Sequence, residues 1–389
     1  MTGPVLVTHI ITDVTTGGAE IMLLKLLSHI DRERFASRVI SLTNGGPIGE
    51  RLEGLGIPVQ ALGMNNPLFV GMRPGFPDPG AVLRLAGWLR GNPPDLVQTW
   101  MYHADLVGGI AARLAGRAPV IWGIRNSNLD VLHSRRSTRW TMKVCALLSK
   151  KIPARIVSCS ETARRIHVNL GYAADRMLVI PNGFDLDLFR PDPQGRASLR
   201  QELGLSPEAR LVGLVARFDP QKDHQTFIQA AAEVSARYTG VEFLLCGDGI
   251  TWANAKLAGW IEERGLRDCF HLLGRREDIP RLSAALDVAC SSSAYGEAFP
   301  NVLGEAMACG VPCVATDVGD SAYIIGNTGK VVPPNDPQAL AGAVVELLEL
   351  PANRRHELGE DARRRMQQNF DIRAVVNRYE QLYNSLLDH

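Results

Sequence analysis

The chain has 389 residues, 46% apolar and 21% charged, with a formal net charge of +1. At about 100–200 residues per domain, this length predicts two domains, each able to bury its own core. The charge excludes bulk attraction to nucleic acid, and no apolar run approaches the roughly 18–20 residues of a membrane-spanning helix.

Charge is unevenly spread: residues 1–185 hold 21 basic and 13 acidic residues, a balance of +8, and the remainder holds 21 and 28, a balance of −7. Seven cysteines (145, 159, 246, 269, 290, 309 and 313) include no C-x-x-C pair and sit mostly in apolar segments. They read as reduced, buried thiols of a cytosolic protein, with no disulfide framework or zinc site. The chain starts without a basic n-region or a small-residue cleavage site, so Val5–Ile11 reads as a first strand, not part of a signal peptide.

In chain order, strands are expected over Val5–Ile11, Arg38–Leu42, Pro58–Leu62, Asp95–Trp100, Pro119–Ile124 and Arg155–Ser160. Helices are expected over Ala19–Ile30, Pro79–Arg90, His103–Leu114 and Glu161–Leu170. Continuous apolar strands alternating with helices indicate βαβ units and a parallel sheet covered on both faces. From Val179 to Gly195, Pro181, Pro191 and Pro193 with two glycines disfavour regular structure and mark a boundary. The alternation then restarts, with strands at Leu211–Ala216, Val241–Cys246, Phe270–Leu273, Val288–Ser291 and Cys313–Thr316. The expected domains are therefore 1–185 and 186–370, with a final helix over 371–389 packing back on the first. Two such α/β sheets imply a cleft, with ligands at the carboxyl ends of the strands.

Several motifs follow strands. Gly17 and Gly18 open the first helix and leave backbone N–H groups bare near its positive end, which suits an anion; a tight turn is the plainer reading. Neither this segment nor Cys246-Gly-Asp-Gly completes a dinucleotide fingerprint, which disfavours a dehydrogenase. Arg217 and Lys222 supply cations for a departing diphosphate, and Arg217, directly after an apolar strand, is expected to need a partner for its buried stem. Between Ser291 and Pro312, Glu297 lies in a loop, Pro300 suits the first position of a helix, and Glu305 lies inside it. The N–H groups of Phe299 and Asn301 then become phosphate donors, and the two carboxylates can face ribose and sugar; two surface acids on an exposed helix is the alternative. Asp185-Leu-Asp187 is a literal D-x-D, but beyond Pro-Asn-Gly it reads as a cap or turn, so no metal is expected. His103, flanked by aromatics where a strand gives way to a helix, is either a capping residue or a site residue.

Residues 118–160 carry eight basic residues against Asp130 alone. Arg135, Arg136, Arg139, Lys143 and Lys150 project into an arc of about 100°, with Trp140, Val144, Leu147 and Leu148 in the neighbouring arc. This segment, 134–151, is either a core-facing helix with a solvated basic back or a surface that docks on anionic membrane.

Together these residues resemble the metal-independent, retaining glycosyltransferases of GT-B architecture known as family 4, or glycosyl transferases group 1. The resemblance spans essentially the whole chain, and Glu297 through Glu305 matches the family's E-x7-E element. It implies two Rossmann-like, doubly wound parallel-sheet domains facing a cleft, an N-terminal acceptor domain and a C-terminal donor domain. It also implies that Arg217 and Lys222 hold the donor diphosphate, Glu305 the ribose, and Glu297 and His103 the transferred sugar. Gly17, Gly18, Phe299, Asn301 and Val302 would complete the donor site, with Arg275 near the base. The substrates implied are a nucleotide sugar, probed first as UDP-linked, and a glycan or polyprenyl-linked acceptor of exopolysaccharide or lipopolysaccharide biosynthesis. The setting implied is cytoplasmic or peripheral on the inner membrane face. One departure stands out: Asp320-Ser-Ala-Tyr replaces the family's usual proline–glutamate after Thr316-Asp-Val-Gly. Rivals are an epimerase or phosphorylase of the same fold, or a non-catalytic sugar-binding protein, which would be expected to lose the cleft charges.

Overall fold

Strands Leu96–Trp100, Val120–Ile124, Val288–Ser291 and Cys313–Thr316 are buried at every residue. A parallel sheet with helices on both faces requires this, and it explains why their sequences are mostly apolar with no alternation of apolar and polar residues. A computed structural model describes residues 3–64, 79–127, 136–206 and 208–387, which divide into two compact units, Met1–Gly183 with Ile372–His389 and Phe184–Asp371.

In unit 1, the described residues form a seven-stranded parallel sheet of β1 (Val5–Ile11), β2 (Phe35–Ser41), β3 (Val59–Ala61), β4 (Leu96–Trp100), β5 (Val120–Ile124), β6 (Arg155–Ser158) and β7 (Met177–Val179). Its order is β3-β2-β1-β4-β5-β6-β7, so the winding direction reverses between β1 and β4. The C-terminal helix Ile372–Leu387 belongs to this unit's core: Tyr379 and Tyr383 are fully buried beside Val7, Leu23, Leu27 and Trp100. Each such aromatic removes about 150–250 Å² from water, about 4–6 kcal/mol before conformational entropy is counted. Their hydroxyls are matched, because Tyr383 donates to Gln98 and Tyr379 accepts from Arg125, whose guanidinium also donates to Asn182 Oδ1 at 2.6 Å.

In unit 2, the described residues form a six-stranded parallel sheet of β8 (Arg210–Val215), β9 (Val241–Cys246), β10 (Phe270–Leu272), β11 (Val288–Ser291), β12 (Cys313–Thr316) and β13 (Gly329–Val332). Its order is β10-β9-β8-β11-β12-β13, with the reversal between β8 and β11. Strand β13 escaped the sequence reading because its middle residues, Lys330 and Val331, are exposed and leave no continuous apolar run. The boundary segment also differs from expectation. Pro193 opens a helix, Pro193–Glu202, because Asp192 caps it by accepting the Gly195 N–H at 2.8 Å and proline needs no donor there.

Candidate active site

Each sheet reverses at a pair of strands whose carboxyl ends carry the candidate residues, the position where open α/β sheets bind ligands. In unit 1, Gly17 and Gly18 follow β1 and His103 follows β4. In unit 2, Arg217 and Lys222 follow β8, and Glu297 follows β11.

The loops after β8 and β11 are stitched together. Ala294 N–H donates to Gln221 O at 2.8 Å, and Ser292 Oγ donates to the carbonyls of Lys222 and Asp223 at 2.8 and 3.1 Å. Asp223, at φ 46°, caps the helix His224–Arg237 by accepting the Thr226 N–H. This places Lys222 Nζ against Glu297 Oε1, and Ser293 Oγ donates to the same oxygen at 2.8 Å. Glu297 is buried, and a buried carboxylate needs such partners. From the third strand, Thr316 Oγ1 donates to Ser293 O at 2.6 Å, and Asp320 N–H donates to Ala298 O at 3.1 Å. Gly319, at φ +65°, packs on the Glu297 carbonyl so closely that a Cβ would collide with it. The loop carrying the Asp320-Ser-Ala-Tyr departure therefore buttresses the backbone of Glu297.

Helix Asn301–Ala308 begins after Pro300. The Phe299 ring is committed to the core, between Phe184 (centroids 6.3 Å apart) and Phe370 (5.7 Å); what Phe299 can offer a ligand is its backbone N–H. Val302 and Glu305, one turn apart, line a small pocket with Val215 and Cys290. Asn301 is the first residue of that helix.

Arg217 corrects the expectation of a buried stem. Its side chain is 58% exposed, and its Nε donates to Asp219 at 3.1 Å. Full burial ends before it, at Leu214, and Val215 and Ala216 are only partly covered. Arg275 is also exposed, after Gly274, whose carbonyl accepts the Gly247 N–H.

In unit 1, Gly17 is the N-cap of helix Gly18–His29, and Glu20 folds back so that a Cβ on Gly17 would collide with its carboxylate. Burial pushes the Glu20 carboxyl up to about 7. His103 is exposed in the first turn of helix Tyr102–Ala115. Asp185 Oδ1 accepts the amides of Asp187 and Leu188 at 3.0 and 2.9 Å, the turn role read for this D-x-D. Among the described residues, no three His, Cys, Asp or Glu converge on a point suited to a metal.

The basic segment differs in detail from its sequence reading. Arg135 and the Arg136 side chain lie outside the described residues, and the helix runs Arg136–Leu148, leaving Lys150 beyond its end. The buried face is Thr141, Met142, Cys145 and Ala146, not the arc of Trp140, Val144, Leu147 and Leu148. Trp140 is 55% and Leu147 77% exposed, with Lys143 exposed between them and its ammonium 6.0 Å from the Trp140 ring centroid. That face packs on helix Tyr102–Ala115, where Cys145 Sγ donates to Tyr102 O at 3.6 Å. Among the described residues, no helix is long and apolar enough to cross a membrane.

Sequence inspection missed Ser293, although the run of three serines at the end of β11 was its signal. It also missed Met101, a non-glycine residue at φ 73° that no sequence pattern marks.

Residues 209–350 match the family described as Glycosyl transferases group 1, and residues 16–188 match Glycosyltransferase Family 4. The chain is 28% identical over 332 residues to EpsF of Bacillus subtilis, named as a glycosyltransferase, covering 80% of this chain and 79% of that one. It is 25% identical over 312 residues to the UDP-Gal:alpha-D-GlcNAc-diphosphoundecaprenol alpha-1,3-galactosyltransferase of Escherichia coli, covering 79% of each. The crystal structure of Anabaena HepE in complex with UDP superposes with a TM-score of 0.84 at 26% identity, over 97% of this chain and 99% of that one.

Proposed function

The chain belongs to the group 1, family 4 glycosyltransferases, and from that membership we propose that it moves a sugar from a UDP-linked donor to a glycan or polyprenyl-linked acceptor, with retention of configuration and without a metal, in exopolysaccharide or cell-envelope biosynthesis. The observation that carries this reading is the Lys222–Glu297–Ser293 cluster at the winding reversal of unit 2, next to the start of helix Asn301–Ala308. HepE, matched over nearly its whole length, was crystallised with UDP, and the galactosyltransferase relative is named for a diphosphoundecaprenol acceptor.

In this reading unit 2 is the donor domain. Lys222 and Arg217 neutralise the diphosphate as its charge grows, the backbone N–H groups of Phe299, Asn301 and Val302 add fixed donors, and Glu305 takes the ribose. Arg275 lies toward the base, and Glu297 holds hydroxyls of the transferred sugar. The bond from the sugar's anomeric carbon to the diphosphate oxygen breaks as the acceptor oxygen attacks the same face. The acceptor proton passes to the departing phosphate oxygen. Stabilising that leaving group supplies most of the rate.

Unit 1 is the acceptor domain, where His103 contacts the sugar and Gly17 and Gly18 face donor phosphate. The exposed Trp140 and Leu147 flanking Lys143, with Arg139 on the same helix, support docking on an anionic membrane surface. The cytoplasmic face is where such a surface would meet a nucleotide sugar.

The test is UDP release from UDP-glucose, UDP-galactose and UDP-N-acetylglucosamine, alongside thermal shift with UDP. A ligand bound only by the native state raises the melting temperature. If UDP and all three sugars leave the melting temperature unchanged, the UDP-linked donor is wrong.

A further inference from the structure

The link from β4 to the helix Tyr102–Ala115 is a single residue, Met101, at φ 73° and ψ 160°. That region is essentially reserved for glycine, and any other residue held there is strained and persists only when its surroundings over-determine it. Here they do. Met101 N–H donates to Gly123 O at 2.8 Å, and Met101 O accepts the Asp105 N–H at 2.8 Å. The Asp105 carboxyl is fully buried, and its Oδ1 accepts from Thr99 Oγ1 at 2.5 Å and from Gly123 N–H at 3.2 Å. One carboxyl oxygen thus joins the end of β4, β5 and the first turn of the helix. Gly123 has no room for a side chain, since a Cβ would lie 2.7 Å from Thr99 O.

We propose that Met101 and Asp105 are positioning residues for His103: a strained one-residue turn, clamped by a buried carboxyl, fixes the imidazole at the carboxyl edge of the unit 1 sheet. The proposal rests on the role given to His103 above. A longer, relaxed loop would place residue 103 with several backbone torsions to spare, whereas a direct strand-to-helix reversal leaves none. Strain retained against the easy substitution by glycine is the mark of a position held for function. Burial pushes the Asp105 carboxyl up to about 8, so at neutral pH it is largely protonated, and asparagine reproduces its acceptor.

The experiment compares Met101→Gly, Met101→Ala, Asp105→Ala, Asp105→Asn and His103→Ala. Each is read by melting temperature and by kcat and KM for UDP release from whichever of the three UDP-sugars wild type turns over fastest. Glycine ordinarily sits below alanine in stability; at position 101 Met101→Gly is expected to melt above Met101→Ala, while its kcat falls about tenfold below that of Met101→Ala with donor KM within about twofold. Asp105→Ala is expected to lose about tenfold in kcat, and Asp105→Asn to restore it to within about twofold of wild type. The proposal is overturned if glycine is no more stable than alanine at 101, or if Met101→Gly keeps the kcat of Met101→Ala. The glycine–alanine pair decides the matter even if Asp105→Ala does not fold. Wild-type turnover by His103→Ala would instead remove the role of His103, with the order of the two melting temperatures still reporting the strain.

Discussion

Lys222 and Glu297, 75 residues apart in the chain, meet as an ion pair whose acceptor oxygen is shared with Ser293 Oγ. Both side chains are mostly covered, at 20% and 11% exposure. The pair therefore joins a cation suited to phosphate with a carboxylate suited to sugar hydroxyls, each holding the other in place.

Glu297→Ala and Lys222→Ala are each expected to lower kcat for sugar transfer by about 10²–10³, the range for removing one fixed electrostatic contact. The double variant should lose far less than the product of the two, because each substitution strands the other's partner. Steady-state UDP release measures all three, and fully multiplicative losses would show that the pair does not act as a unit.

Excess chelator is expected to leave the transfer rate unchanged, since protein cations and backbone donors are assigned the leaving charge. Rates measured before and after chelation, and after adding magnesium or manganese back, test this. Loss restored by a metal would return Asp185 and Asp187 to consideration.

Stability is expected to peak near pH 6.5. Burial lowers His9 to about 3 and His167 and His224 to about 4, from an ordinary 6.5. The unfolded chain takes up those protons first, so stability is lost as pH falls below about 6.5. Burial raises Glu20 to about 7 and Asp105 to about 8. The folded state keeps those protons longer, so their contribution is full only below the ordinary carboxyl values of 4.5 and 3.8 and is lost progressively as pH rises from there to about 7 and 8. Between about 4.5 and 6.5 the gain from three histidines outweighs this loss from two carboxyls. Urea midpoints across pH 4–9 report the balance, and Asp105→Asn should flatten the alkaline side.

Gly304 lies under the fully buried ring of Phe184, so any Cβ there collides with it. Gly304→Ala is expected to cost about 1–3 kcal/mol through overpacking. Urea denaturation checks this, and Phe184→Leu in the same chain should recover part of the loss.

Charge reversal at Arg139 and Lys143, or Trp140→Ala, is expected to weaken sedimentation with phosphatidylglycerol vesicles. About 1 kcal/mol per basic residue corresponds to roughly fivefold for each. Unchanged binding would leave the helix Arg136–Leu148 as a solvated surface.

The apolar strands, their alternation with helices and the order of the motifs were all legible in the residues, because burial on both faces of a parallel sheet writes itself as continuous Val, Ile and Leu. So were Glu297, Lys222 and His103 as candidates, since each follows a strand end. Strand β13 and the capped helix at Pro193 were not, because an exposed edge and a side-chain cap leave little periodicity. The outward face of helix Arg136–Leu148 was hidden as well, because Thr141, Met142, Cys145 and Ala146, rather than Trp140 and Leu147, meet the neighbouring helix.

Local sequence determined the alternation of most strands with helices and the residue types standing at the strand ends, since both follow from residue type and short-range spacing. Folding alone decided that Lys222 pairs with Glu297 and that Met101 is held in a glycine-like turn. Those outcomes depend on contacts between residues far apart in the chain and on the space left by neighbouring backbones, which no spacing along the chain encodes.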